Sequence, residues 1–525
     1  MPEAPFPTRT DVMQRADAAL QSNQPSHAID VLQHWLSVHP DDCAGWVALS
    51  SALSRNDDYR KARMAAASAA NVLAADASQL LPVALRLRTF SESGLIRSLC
   101  ANRRLNSSDD SQLCSDMAAM LSAVGDQPFA LSLLNRALVK QPKNPRFRFN
   151  RAQVLSYFGR IQEAEDDLQA CLRAAPEFAQ AHWLQSRLRR QTSKSNHVAT
   201  LRRLLLNASL AMNARAFLGF ALHKELDDLG EHEQAWSALQ NAWAAKRTTL
   251  QYRSADTRAL FAHLRTARVA PAHVEPRRDG VITPIFIVGM HRSGTSLLER
   301  MLSGHSRIAA AGELYDFPAQ LRLASNHHGR GALDLTVATR LNYADFAVIG
   351  EGYLQATQWR RGAQSIFTDK LPSNFVNLGY IAMALPHARF LHVVRHPLDT
   401  GLSNLRELFS DACPYSYDQQ ELGEYYDCYR KLMQHWHSVL PGRIHDIGYE
   451  AMVTAPDTTI DRALQFIGLS SEQECIRIEQ RSAAVATASS GRIHGAIDQA
   501  SVGAWKRYAT QLQPLSSRLA ADGWL

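Results

Sequence analysis

The 525-residue sequence has no apolar run of membrane-spanning length and no dense block of lysine and arginine, so neither a spanning helix nor a nucleic-acid footprint is expected. Cysteine is scarce. Cys43, Cys100, Cys114, Cys171, Cys413, Cys428 and Cys475 are scattered, odd in number and never in Cys-x-x-Cys spacing, which argues against a disulfide framework or a zinc site. The first residues, Met-Pro-Glu-Ala-Pro-Phe-Pro, lack the charged-then-apolar pattern of a secretory signal, and a cytoplasmic protein without membrane contact is expected. Charge of one sign is also modest. A net +7 on 525 residues permits an anionic ligand but demands none. With 46% hydrophobic and 20% charged residues the chain is of ordinary globular composition, and its length predicts two or three domains.

What is present in the first half is a period of 34. Ala28, Ala62, Ala130 and Ala164 fall on it, as do Gly125 with Gly159, Leu134 with Leu168 and Ala118 with Ala152, while Pro40, Pro142 and Pro176 share another phase. That period with small residues and a closing proline is the tetratricopeptide pattern of antiparallel helix pairs. Small residues sit where two helices cross closely, and proline stops the second helix because it cannot continue the hydrogen-bond ladder. The lattice breaks at Ile96, so the repeat over 74–107 is expected to be degenerate. It resumes with a shift after the polar stretch Gln191 to His197 and runs to Lys246. Residues 1–246 are thus read as an all-α repeat superhelix, 247–280 as a connector and 281–525 as a second domain. Such arrays present a groove for a protein or peptide; bare support of the second half, or homodimerisation, is the alternative.

The second domain opens on Ile285 to Val288, an apolar and β-branched run of the kind buried on both faces of a parallel sheet, ending at Gly289. After Gly294 the residues Leu297, Leu298, Met301 and Leu302 recur at helical spacing. Strand, glycine loop and helix make an anion site, because backbone N–H groups and the positive end of the helix converge there. Gly289 and Gly294 have the spacing of a triphosphate-binding loop, but Thr295 stands where that loop has its lysine. The site therefore suits a phosphate or sulfate without a triphosphate tail. Further strand-like runs are Ser365 to Lys370, Arg389 to Arg395 and Ile444 to Glu450, with a short one before Glu313. Ligands of open α/β sheets bind outside the carboxyl ends of such strands.

His-Arg-Ser-Gly-Thr-Ser at 291–296 resembles the phosphosulfate loop of P-loop sulfotransferases, nearest the tyrosylprotein branch and the bacterial members that carry tetratricopeptide repeats. The resemblance implies an α/β domain with a central parallel sheet and transfer of a sulfuryl group from 3′-phosphoadenosine 5′-phosphosulfate to an acceptor hydroxyl, with no metal. By the same resemblance Arg292, Ser293, Gly294, Thr295 and Ser296 hold the 5′-phosphosulfate, and Arg395 with Ser403, eight residues on, holds the ribose 3′-phosphate. Glu313 is implied as the catalytic base, Lys370 as the group at the leaving oxygen, and Arg292 is implied in catalysis as well as in binding. Tyr449, and from the closing segment Ser489, Lys506 and Arg507, are implied nucleotide contacts. By residue type alone Glu313 could be a solvated carboxylate, Lys370 a surface lysine, Arg395 a structural ion-pair partner and Tyr449 a rim aromatic.

Several positions depart from the family pattern. Glu407 stands where the tyrosylprotein branch has a further arginine, Tyr315 and Ala319 stand where it holds acidic peptides with arginines, and His494-Gly495 replaces a basic residue and proline. The acceptor is therefore open between a protein or peptide and a saccharide, lipid or small alcohol. The inserts Leu321 to Gly362 and Ala412 to Trp436 are expected to form the acceptor site and lids. The rival readings are a P-loop kinase of small molecules, against which the missing lysine speaks, and a non-catalytic repeat protein.

Overall fold

The computed structural model describes residues 8–73, 77–102, 105, 109–269, 280–409, 411–480 and 497–525. They form two compact units, one of Met1–Pro142 with Tyr315–Trp359, the other of Lys143–Leu314 with Arg360–Leu525. The architecture is the expected one, antiparallel helix pairs followed by an α/β domain with a parallel sheet. The division is less expected. The last repeats, from Pro145 onward, fold in one unit with the sheet, and the insert that follows Leu314 belongs with the first repeats.

The pairs include Arg9–Gln21 with Pro25–Val38, Cys43–Arg55 with Tyr59–Asn71, Ser111–Ala123 with Gln127–Lys140, and Pro145–Tyr157 with Ile161–Ala174. Side chains of Asp58, Asp110, Asp126 and Asn144 accept the first free amides at four of these starts, and Pro40, Pro142 and Pro176 each lie two residues beyond a helix end. Ala28, Ala62, Ala130 and Ala164 are fully buried, as close crossing requires. The period also appears in the backbone. Asn23, Asp57, Ser91, Gly125 and Gly159, one every 34 residues, are left-handed with φ between +55° and +88° and turn each pair. Ser91 keeps that register through the repeat where the small-residue lattice failed. There the helices Leu80–Thr89 and Ser93–Cys100 are short, so Ile96 can be buried without a small residue at the crossing.

In the first unit the insert is docked on the second repeat. Arg60 donates from Nε to the Leu323 carbonyl at 2.8 Å and from its amide to Asn326 Oδ1 at 2.8 Å, while Asp57 accepts from His327 Nδ1 at 2.7 Å. The His328 ring lies 4.9 Å from that of Tyr59. Tertiary contacts thus recruit a repeat turn to hold a segment of the chain itself.

The second unit contains strands β1 (Thr283–Gly289), β2 (Ile308–Ala310), β3 (Ile366–Asp369), β4 (Arg389–Val394) and β5 (Ile444–Gly448), all parallel in the order β2-β3-β1-β4-β5. Every residue of β1 is buried, the consequence of helices on both faces. Ile285 and Ile287 share a core with Leu298, Met301 and Leu302 of the helix that follows, and with Leu391, Val393 and Ile447 of the neighbouring strands. Full burial of each such side chain contributes about 1.5–3 kcal/mol. The chain leaves β1 for one edge and returns to its other side at β4, so the crevice at the carboxyl end of β1 is the switch point of the sheet. The insert at 412–436, expected as acceptor site and lid, packs into the second unit. It is mostly the long helix Gln419–Val439, whose Tyr429 and Trp436 are fully buried.

The helices Met212–Asp228 and His232–Arg247 meet at Gly219, where a Cβ would lie 2.8 Å from Ala242 Cβ. Gly219→Val is expected to destabilise this unit by about 1–3 kcal/mol through overpacking, read as a lowered unfolding midpoint in a denaturant titration.

Candidate functional site

The loop between β1 and the helix Thr295–Leu302 uses left-handed backbone at Gly289 (φ 151°), Arg292 (φ 69°) and Gly294 (φ 112°). At both glycines a side chain is excluded as well as strained. A Cβ on Gly289 would lie 2.6 Å from the Val393 carbonyl oxygen, and one on Gly294 would lie 2.4 Å from Tyr449 Cδ2. Arg292 has no such exemption, and its conformation costs about 1–2 kcal/mol. It persists because its guanidinium is held: Nε donates to Ser403 Oγ at 3.2 Å and a terminal nitrogen lies 3.6 Å from Glu407. Glu407 also takes Arg187, at 3.1 Å.

The residues expected to grip the second phosphate come together on the loop. Arg395, at the end of β4, donates to the Arg292 carbonyl at 3.2 Å and to the Ser501 carbonyl at 2.5 Å, and Ser403 lies on the next helix, Pro397–Leu405. The Tyr449 ring is packed between these parts. It carries the Arg395 guanidinium 4.4 Å from its centroid and meets Gly294, a cation–π contact of about 0.5–2 kcal/mol that fixes the arginine over the loop. Among the buried polar atoms here without a hydrogen-bond partner among the described residues are Ser293 Oγ and Arg395 Nε. Such groups are costly unless something polar meets them, and both can donate to an anion. Thr295 and Ser296 are buried at the positive end of the helix.

On the other side of the loop Lys370, fully buried after β3, donates from Nζ to Glu313 Oε1 at 2.6 Å, and the Glu313 side chain is one-third exposed. A buried ammonium needs a partner, and this one lies at the carboxyl edge of the sheet. A carboxylate and an ammonium are thus side by side near the glycine loop, residue types of the kind that group transfer uses.

The closing segment is tied down by Asp399, which accepts from the amides of Gly503 at 2.7 Å and Trp505 at 3.0 Å, and the Trp505 ring stacks with His396. Lys506 is exposed beside Gly503. Arg507 is turned toward Asp227, 3.9 Å away, which also accepts from Arg406 and from Tyr508. Ser489 lies outside the described residues, as does His494-Gly495.

Sequence reasoning missed His291, Asp399, Asn404 and Glu299. Asn404 donates to the His291 carbonyl at 2.7 Å, and His291 Nδ1 lies 3.2 Å from the Tyr415 hydroxyl. Burial pushes the His291 imidazole down to about 4, helped by the charges of Lys370 and Arg292 and opposed by Glu313. Nothing local in the sequence marks Asn404 or Asp399, since their partners are 113 and 104 or more residues away.

A parallel α/β unit with an anion loop at its switch point is the class that fold and site define. Residues 284–473 match the family model described as "Sulfotransferase family". An uncharacterised protein of Aquifex aeolicus is 27% identical over 398 residues, covering 74% of this chain and 52% of that protein. Protein-tyrosine sulfotransferase 2 of Gallus gallus is 23% identical over 240 residues, 43% of this chain and 62% of that one. The chain thus spans about half the length of the first relative and under two-thirds of the second. Among solved structures, the sulfotransferase domain from the curacin biosynthetic pathway aligns with a TM-score of 0.33 and 19% identity, over 48% of this chain and 99% of that one. YrrB, described as a TPR protein with an unusual peptide-binding site, aligns with a TM-score of 0.26 and 15% identity, over 39% of this chain and 96% of that one. No helix among the described residues is long and apolar enough to cross a membrane.

Two outcomes are expected. Gly294→Ala forces a Cβ into Tyr449 and should abolish anion binding at the loop, measured by calorimetry. The depressed pKa of His291 means that below its ordinary 6.5 the unfolded chain binds more protons, so His291 costs stability as pH falls from 6.5 to about 4. His291→Asn should flatten the stability-against-pH curve in that window by up to about 1.4 kcal/mol per pH unit.

Proposed function

We propose that the chain transfers a sulfuryl group from 3′-phosphoadenosine 5′-phosphosulfate to an acceptor hydroxyl. The observation that carries this reading is the Lys370–Glu313 pair at 2.6 Å, set at the sheet edge beside an anion loop whose donors Ser293 Oγ and Arg395 Nε have no described partner. In this reading the loop amides with Ser293, Thr295 and Ser296 hold the 5′-phosphosulfate, and Arg395 and Ser403, joined through Arg292, hold the 3′-phosphate. Two anion grips, on this reading, serve a nucleotide that carries a 3′-phosphate and a 5′-phosphosulfate, in place of the lysine that a triphosphate loop would carry.

The transfer is an in-line displacement. The acceptor oxygen forms the new bond to sulfur as the bond from sulfur to the 5′-phosphate oxygen breaks. Glu313 takes the hydroxyl proton, and Lys370 meets the charge that grows on the leaving phosphate oxygen. Rate arises from positioning and electrostatics, as in phosphoryl transfer. The pair gives each group its charge partner before substrate enters. A protein or peptide acceptor brought by the helix pairs fits the repeat half of the chain, and a reducing, cytoplasmic setting fits seven thiols outside any disulfide.

Adenosine 3′,5′-bisphosphate titrated into the full chain is expected to bind, and Arg395→Ala to weaken it roughly tenfold to a hundredfold. The absence of binding would overturn the reading. Glu313→Gln should retain the bisphosphate and lose turnover by about 10²–10⁴. Full turnover in that variant would remove Glu313 as the base.

A further inference from the structure

We infer that Glu299 is a positioning residue for the Glu313–Lys370 pair, holding the ends of β2 and β3 together where both side chains leave the sheet. Glu299 lies on the loop helix with Leu298, Met301 and Leu302, and like them is buried, with 7% of its surface exposed. One of its oxygens, Oε1, accepts two hydrogen bonds, from the Gly312 amide at 3.0 Å and from Thr368 Oγ1 at 2.9 Å. Gly312 immediately precedes Glu313, and Thr368 stands two residues before Lys370.

The tether is needed because the ladder runs out there. The paired residues of β2 and β3 end at Ala310 and Thr368, and Gly312 then turns left-handed with φ +76°. Its carbonyl still accepts the Lys370 amide at 2.8 Å, but its own N–H points to Glu299. Both peptide groups that set the reach between Glu313 and Lys370 are thereby fixed, one by the other strand and one by the carboxylate.

An apolar side chain would fill this position at lower cost. Burial raises the carboxyl's pKa above its ordinary range, opposed by the nearby charge of Lys370 and by the two hydrogen bonds. A buried acid at this position is explained by the two donors it satisfies. The same residue joins the helix that ends the anion loop to both strands that carry the reacting groups, so donor site and acid–base pair share one anchor.

This inference rests on the sulfuryl-transfer reading, and its test separates the two. Turnover is measured on the full chain as release of adenosine 3′,5′-bisphosphate from the sulfated donor with a simple phenol as acceptor. Binding of the bisphosphate by calorimetry and exchange of the Gly312 amide are followed alongside. Glu299→Ala is expected to lower kcat by about 10²-fold, the scale of a 1 Å misplacement, with donor KM and bisphosphate affinity within about twofold of the parent. Glu299→Gln keeps the Oε1 acceptor and should recover kcat to within about tenfold. Thr368→Val removes one donor and should lower kcat several-fold, which serves should the alanine variant not fold. Unchanged kcat in the folded Glu299 and Thr368 variants would overturn the inference, as would a fall in kcat matched by equal loss of bisphosphate affinity. Failure of the parent chain to bind bisphosphate or consume donor would count against the functional reading instead. The tether is then judged by Gly312 exchange alone, slow in the parent and in Glu299→Gln, fast in Glu299→Ala; fast exchange in the parent would remove it.

Discussion

The rest of the second unit depends on one backbone constraint, the passage from β1 into its helix through left-handed residues at 289, 292 and 294. Gly289 lets the β4 backbone approach, Gly294 lets the Tyr449 ring lie against the loop, and Arg292 accepts strain so that its guanidinium and carbonyl face different partners. Each turn residue therefore brings in another part of the chain. The loop is a junction at which β4, the Pro397–Leu405 helix and Tyr449 are all fastened.

The helix that leaves the loop carries the constraint to the other side of the sheet. Through Glu299 it reaches Gly312 and Thr368, and through them the Glu313–Lys370 pair. Burying an ammonium and two carboxylates together is costly in isolation and tolerable only as a hydrogen-bonded set. The cost explains why these groups sit at the carboxyl edge of the strands, where Glu313 retains access to water.

The repeats have two structural assignments within one chain. The later helix pairs fold with the sheet, while the first ones carry Tyr315–Trp359, the segment that departs two residues after Glu313. Asp57 and Arg60, at a repeat turn and the helix after it, supply the grip. A turn residue that must be left-handed favours Asn, Asp or Gly, and an aspartate there is also a ready hydrogen-bond acceptor.

Local chemistry made much of this legible. Strands β1, β3 and β4 were marked by short apolar or β-branched runs ending in glycine or charge, the helix pairs by a 34-residue period, and the glycine loop by Gly289, Gly294 and a missing lysine. Ser91 shows the limit: it turns its repeat as Gly125 does, yet serine carries no such signal, so the third repeat looked broken. Arg507 shows another, because a basic residue beside the expected nucleotide segment is drawn to Asp227 by a pairing across 280 residues.

What the sequence by itself determined is therefore the periodic and the steric: where strands and helices lie, where glycine is required, and which residue types are available for an anion. What only the tertiary structure decided is which of those residues meet. Arg395 and Ser403 converge on Arg292, Lys370 finds Glu313, and Glu299 turns from one more helix residue into the tie between two strands. The reason is physical. Helical and strand propensities act over a few residues, whereas a buried charge takes whatever partner the sheet order brings within hydrogen-bond reach, and in the order β2-β3-β1-β4-β5 those partners come from distant parts of the chain.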